Sequence, residues 1–136
     1  MITAIDTSVL LDVFGADPRF GVLSGAALRH CFQQGGLLAC EAVWAEVASF
    51  FPSSDSVQKA MKQLGVQFSP IELEATLTAG DSWKIYRSKG GKRTRVVADF
   101  LIGSHALHQA DRLLTRDRGF YRTYFKGLKI LDPAAE

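Results

Sequence analysis

The chain is poor in cysteine, with two in 136 residues, and they stand apart as Cys31 and Cys40 in apolar stretches. That argues against a disulfide scaffold, and a domain of this length buries roughly two-thirds of its unfolded surface without such staples. A reducing cytoplasm is the expected setting. No apolar run approaches about 18 residues, because Glu41 and Glu46 interrupt the greasiest stretch, and residues 1–6 hold no basic leader before a long apolar segment. Membrane insertion and secretion are therefore not expected. Also missing are a GxSxG elbow, a Walker glycine loop and a GxGxxG turn, which leaves covalent catalysis and nucleotide cradling without sequence support.

What is present is ordinary globular material, 47% hydrophobic and 22% charged, too apolar for a disordered chain. One core and one domain over 1–136 are expected, with no repeat or linker. The net charge of +2 hides an asymmetry: residues 1–83 hold four Lys/Arg and nine Asp/Glu, whereas residues 84–136 hold twelve and five. A basic half suits an anionic partner such as nucleic acid.

Periodicity supplies the architecture. Ile2–Ile5, Leu37–Cys40, Val66–Phe68, Arg112–Thr115 and Leu128–Leu131 are short apolar runs that read as strands. Between them, helical spacing follows Asp6, runs from Asp17-Pro18 to Gln34 where Gly35-Gly36 stops it, and covers 41–51, 53–64, 70–88 and 96–109. Ser69-Pro70-Ile71-Glu72 has the form of a capping box, and Val57, Met61 and Leu64 share one side of their helix. Ser88 to Arg93 reads as a loop. Alternating strands and helices predict an α/β fold, a three-layer α/β/α domain around a mostly parallel sheet of four to five strands with right-handed crossovers.

Open sheets of this kind bind ligands beyond the carboxyl ends of their strands. Asp6 follows the first strand and Asp117 the fourth; each alone reads equally well as a cap or turn former. Asp99 is harder to explain blandly, since helical spacing aligns it with Val96, Ile102, Gly103 and Ala106, and Glu46 falls similarly beside Ala42, Val43, Ser49 and Phe50. Glu41, in a first helical turn, is set aside as a cap or surface residue. If Asp6, Glu46, Asp99 and Asp117 converge, two carboxylates about 5 Å apart repel by roughly 3 kcal/mol, so the cluster must take up protons or a cation. All-oxygen donors favour Mg²⁺ or Mn²⁺, whose bound water can attack phosphorus. His105, His108 and Asp111 point away from Asp99, and Phe14, Phe50 and Phe51 read as core or interface. Lys84, Arg87, Lys89, Lys92, Arg93 and Arg95 precede Asp99, while Arg112, Arg116, Arg118, Arg122, Lys126 and Lys129 flank Asp117, an arrangement suited to a phosphodiester backbone.

Four segments in this order, Ile5-Asp6-Thr7-Ser8-Val9-Leu10-Leu11-Asp12, Ala42-Val43-Trp44-Ala45-Glu46-Val47, Ala98-Asp99-Phe100-Leu101-Ile102-Gly103-Ser104-His105-Ala106 and Leu114-Thr115-Arg116-Asp117-Arg118-Gly119-Phe120, resemble PIN-domain ribonucleases, specifically VapC-type toxins of bacterial toxin–antitoxin systems. The resemblance spans about residues 2–132. It implies a metal-dependent endoribonuclease with Asp6, Glu46, Asp99 and Asp117 as the acidic quartet, Asp6 and Asp99 as direct Mg²⁺ or Mn²⁺ ligands, and the other two acting directly or through water. Thr115, and Thr7 or Ser8, would support the quartet; Ser8 departs from the asparagine that many relatives carry. Lys92, Arg93, Arg95, Arg116 and Arg118 would guide RNA. The implied partners are a small VapB-like antitoxin and a second copy in a homodimer. A haloacid-dehalogenase-type phosphatase would also place an aspartate after strand one, but its second aspartate would fall at Ser8. The non-enzymatic alternative is an inert PIN-like module that binds RNA or protein.

Overall fold

The computed structural model describes residues 1–91 and 95–135. Five strands are present among the described residues: β1 (Thr3–Ile5), β2 (Leu37–Ala39), β3 (Val66–Phe68), β4 (Arg112–Leu114) and β5 (Ile130–Leu131). They form one sheet in the order β3-β2-β1-β4-β5, with every pairing parallel. Parallel pairing needs crossovers, and the helices that supply them cover both faces of the sheet. Accordingly all three residues of the central β1 are buried, Thr3 included. The result is the expected three-layer α/β/α arrangement.

The described helices are α1 (Thr7–Phe14), α2 (Gly21–Gln34), α3 (Glu41–Ala48), α4 (Ser54–Leu64), α5 (Leu73–Ser88), α6 (Val97–Gln109) and α7 (Arg118–Tyr124). Several ends differ from expectation for identifiable reasons. The α2 helix starts at Gly21, because the Asp17 carboxylate accepts the Arg19 and Phe20 N–H groups and closes a separate turn. The α3 helix stops at Ala48: Phe50 and Phe51 N–H groups bond three residues back to Val47 and Ala48, tightening the last turn ahead of Pro52, which disfavours helix at the residue before it. Ser69 does not cap α5. Its hydroxyl lies 2.9 Å from His105 Nε2 and its N–H donates to Ala39, so the helix begins only at Leu73. A true capping box instead opens α4, between Ser53 and Ser56. Finally, Arg118-Gly119 opens α7, where the sequence suggested only a turn.

The core is continuous from the sheet outward. Val57 and Met61 of α4 are buried as their spacing required, and Cys31 and Cys40 are buried free thiols. The α6 helix is the most enclosed, with Phe100 to Ala106 largely inaccessible and Phe100 packed against Phe120, Tyr124 and Phe125. Gly103 is required there, since a Cβ would sit 2.4 Å from the Phe125 ring. No helix among the described residues is long and apolar enough to cross a membrane.

Candidate active site

The sheet order reverses direction at β1: the chain steps outward to β2 and β3, then returns to β4 on the other side. A crevice opens at such a reversal, beyond the carboxyl ends of the strands. Here it is a pocket of about 470 Å³, lined by Asp6, Glu46, Asp99 and Asp117 together with Thr7, Ser8, Leu11 and Arg116. Four acids from distant parts of the chain thus face one space.

Each acid is placed by its own element. Asp6 leaves β1 in extended conformation, its N–H bonded to Leu114 of β4, and its carboxylate caps α1 by accepting the Thr7 N–H at 2.8 Å. The other carboxylate oxygen accepts the Thr115 hydroxyl at 2.7 Å and the Tyr121 hydroxyl at 3.3 Å. Glu46 projects from α3 and accepts the Thr7 hydroxyl at 2.7 Å. Asp99, in the first turn of α6, accepts the Val96 N–H at 3.1 Å, which also satisfies a donor at the positive helix end. Asp117 follows β4, donates its N–H to the Thr115 hydroxyl at 3.0 Å, and accepts Arg95 at 2.5 Å.

These environments divide the acids. Asp6 is 8% exposed, and its carboxyl is raised from 3.8 to about 6, chiefly because burial disfavours the anion; the bonds from Thr115, Thr7 and Tyr121 pull the other way and Asp99 adds a small repulsion. Tyr121 is pushed up by burial and by the neighbouring carboxylates, so it remains a hydroxyl donor.

The donor set fits a hard divalent cation. All four acids offer oxygen, the deepest is destabilised as an anion without one, and the buried Ser8 hydroxyl beside them has no hydrogen-bond partner among the described residues. Among those residues no three Asp, Glu, His or Cys side chains are poised to hold one ion as they stand. Mg²⁺ does not require that, since it keeps several waters and takes one or two carboxylates.

The remaining residues singled out in the sequence divide similarly. Thr7 and Thr115 brace Glu46 and Asp6. Arg116 lines the pocket, whereas Arg95 is engaged with Asp117, and Arg118 pairs with Asp132 at 3.2 Å away from the pocket lining. Lys92 and Arg93 lie outside the described residues. His105 is buried on α6 and His108 lies 3.0 Å from the Thr78 hydroxyl; neither lines the pocket. Tyr121 and Asp12 were missed by sequence reasoning. Tyr121 looks like any core aromatic, and its reach to Asp6 spans 115 residues, so no local pattern reveals it.

Fold and site together define a parallel α/β domain with an acidic crevice at its topological switch point. The PIN-domain family model matches residues 3–126, and the chain belongs to that family. Solved structures similar in fold include VapBC2 from Rickettsia felis bound to a DNA fragment from its promoter, at 19% identity and a TM-score of 0.73, covering 97% of this chain and 98% of that one. VapBC-1 from nontypeable Haemophilus influenzae gives 18% identity and 0.73, covering 99% and 100%. DNA-bound VapBC from Salmonella typhimurium gives 13% and 0.71, covering 98% and 99%. No curated protein sequence matches the chain.

Proposed function

We propose that this chain is a single-domain Mg²⁺- or Mn²⁺-dependent endoribonuclease of the VapC type, the toxin of a type II toxin–antitoxin pair. The observation that carries the reading is the convergence of Asp6, Glu46, Asp99 and Asp117 on one pocket. PIN domains are generally nucleases, and the similar structures named above are toxin–antitoxin complexes. Asp6 and Asp99 are the ligands of the divalent ion, with Glu46 and Asp117 completing the cluster directly or through water. The bound ion supplies an activated water and neutralises charge developing on the scissile phosphate. Thr7 keeps Glu46 aimed into the pocket, Thr115 holds Asp6 and the turn carrying Asp117, and Ser8 offers a free hydroxyl to the water shell. Lys92, Arg93, Arg95, Arg116 and Arg118 attract and guide the RNA backbone. A small VapB-like antitoxin is the protein partner, a homodimer the assembly and the cytoplasm the location.

The test is cleavage of total RNA by the purified protein with Mn²⁺. Asp99→Asn and Asp6→Asn should each lower the rate at least about a hundredfold, and sequencing of the RNA ends should show fixed cleavage positions absent from Asp99→Asn. Wild-type rates in both variants would refute the assignment. One observation favours a second reading: Arg95 already neutralises Asp117, as it would in an inert RNA- or protein-binding module. Calorimetric titration separates the two, because an inert module shows no saturable Mn²⁺ binding at neutral pH.

A further inference from the structure

Asp12 lies on α1 outside the acidic quartet, is 4% exposed, and holds Arg116 with both carboxylate oxygens. Oδ2 accepts Nε at 2.8 Å and Oδ1 accepts Nη2 at 3.0 Å. The Ser24 hydroxyl of α2 donates to the same Oδ2 at 2.8 Å, and the Arg116 guanidinium lies 4.1 Å over the Phe20 ring. Three parts of the chain therefore fix one side chain: α1 by the charge of Asp12, itself braced by the Ser24 hydroxyl, the entry to α2 by the Phe20 ring, and the β4–α7 turn by its backbone. Arg116 nevertheless lines the acidic pocket, and its Nη1 has no hydrogen-bond partner among the described residues.

An ion pair that buries its carboxylate and leaves its arginine part-exposed adds little net stability over apolar packing, so stability alone is a poor account of this one. A two-pronged clamp does accomplish something else. An arginine whose rotamers are already fixed offers its free N–H groups to a ligand without being ordered at the moment of binding, and donors aimed in advance are the ones that stabilise charge developing in a reaction. Arg95 differs in kind: its partner, Asp117, belongs to the quartet itself.

We infer that Asp12 is a positioning residue of the acidic site, holding Arg116 so that Nη1 donates to a non-bridging phosphate oxygen of RNA lying in the pocket. The inference rests on the endoribonuclease reading for its effect on turnover, while its effect on binding stands separately. It carries a sign that simple electrostatics does not. Asp12→Asn makes the protein more positive, so attraction to RNA by net charge alone would tighten; loss of the clamp weakens it.

The experiment measures anisotropy of a fluorescein-labelled single-stranded RNA without metal, and single-turnover cleavage of the same RNA with Mn²⁺. Asp12→Asn should weaken binding about threefold to tenfold and slow cleavage about tenfold to a hundredfold, and Asp12→Asn/Arg116→Ala should match Arg116→Ala alone, since Asp12 acts only through Arg116. Unchanged or tighter binding by a folded Asp12→Asn, or losses that add in the double variant, would overturn the inference. Should Asp12→Asn fail to fold, Phe20→Leu replaces it: about a twofold to fivefold loss in the wild-type background and none beside Arg116→Ala supports the clamp, and equal losses in both overturn it. A wild-type protein that cleaves nothing refutes the nuclease reading, and the binding comparison still decides the role of Asp12.

Discussion

Asp6 carries an electrostatic burden that should be visible in stability before any catalysis is measured. Its carboxyl shifts from 3.8 to about 6 because burial penalises the anion. At about pH 3 the group is protonated in both folded and unfolded chains and contributes nothing. As the pH rises, the unfolded chain loses the proton first while the folded one retains it. Stability therefore drains away through the folded value, and above it the penalty reaches roughly 3 kcal/mol. Asparagine keeps the acceptor for the Thr7 N–H and removes the charge. Its amide nitrogen stands where Oδ2 accepted the Thr115 and Tyr121 hydroxyls; it can only donate, so those hydroxyls must turn to accept from it, which leaves a net gain of about 1–2 kcal/mol. Asp6→Asn should thus be more stable than wild type at about pH 8 in EDTA, with the gap closing toward about pH 4, as followed by urea unfolding through Trp44 and Trp83 fluorescence. A gap of equal size at both pH values, or a less stable variant at the higher one, would refute the argument that burial is what raises this carboxyl.

Three further expectations concern the scaffold and the rim. Gly103→Ala should destabilise by about 1–2 kcal/mol in thermal melts, because overpacking against the enclosed Phe125 ring exceeds the roughly 1 kcal/mol of added helix propensity. Ser53→Ala removes the capping box of α4 and should lose about 1 kcal/mol of denaturant stability. Arg118→Ala breaks a pair whose arginine is 47% exposed; unfolding should change by less than about 0.5 kcal/mol, while the salt slope of RNA binding should fall by about one if that arginine meets a phosphate.

The strands were legible because short β-branched and apolar runs between helical segments have few other readings, and all five appear where expected. Element ends were less so: Ser69 has the right neighbours to cap α5, yet His105, 36 residues away, takes its hydroxyl. The α7 helix was hidden because Arg118-Gly119 favours a turn until Phe120 and Tyr121 find the core. Within the pocket, Glu46 and Asp99 stood out because carboxylates on small apolar helix faces are locally anomalous, whereas Asp6 and Asp117, each readable alone as a cap or turn former, joined them through the family resemblance of the four segments. The residues that hold the acids gave no such signal. Arg95 reads as one cation of a basic loop, and Asp12 as one more polar residue of α1, until Asp117 and Arg116 reach them from 22 and 104 residues away respectively.

Those separations bear on how such a protein is made. Asp6 is synthesised more than a hundred residues ahead of its partners, for its backbone N–H waits for Leu114, and its carboxylate for Thr115 and Tyr121. The middle strand of the sheet remains one-sided until β4 has been translated, and pairings this distant form late. A chain not yet extended to Asp117 consequently lacks the completed crevice, so a cell producing this protein meets the finished pocket only after β4 and the turn beyond it have been added.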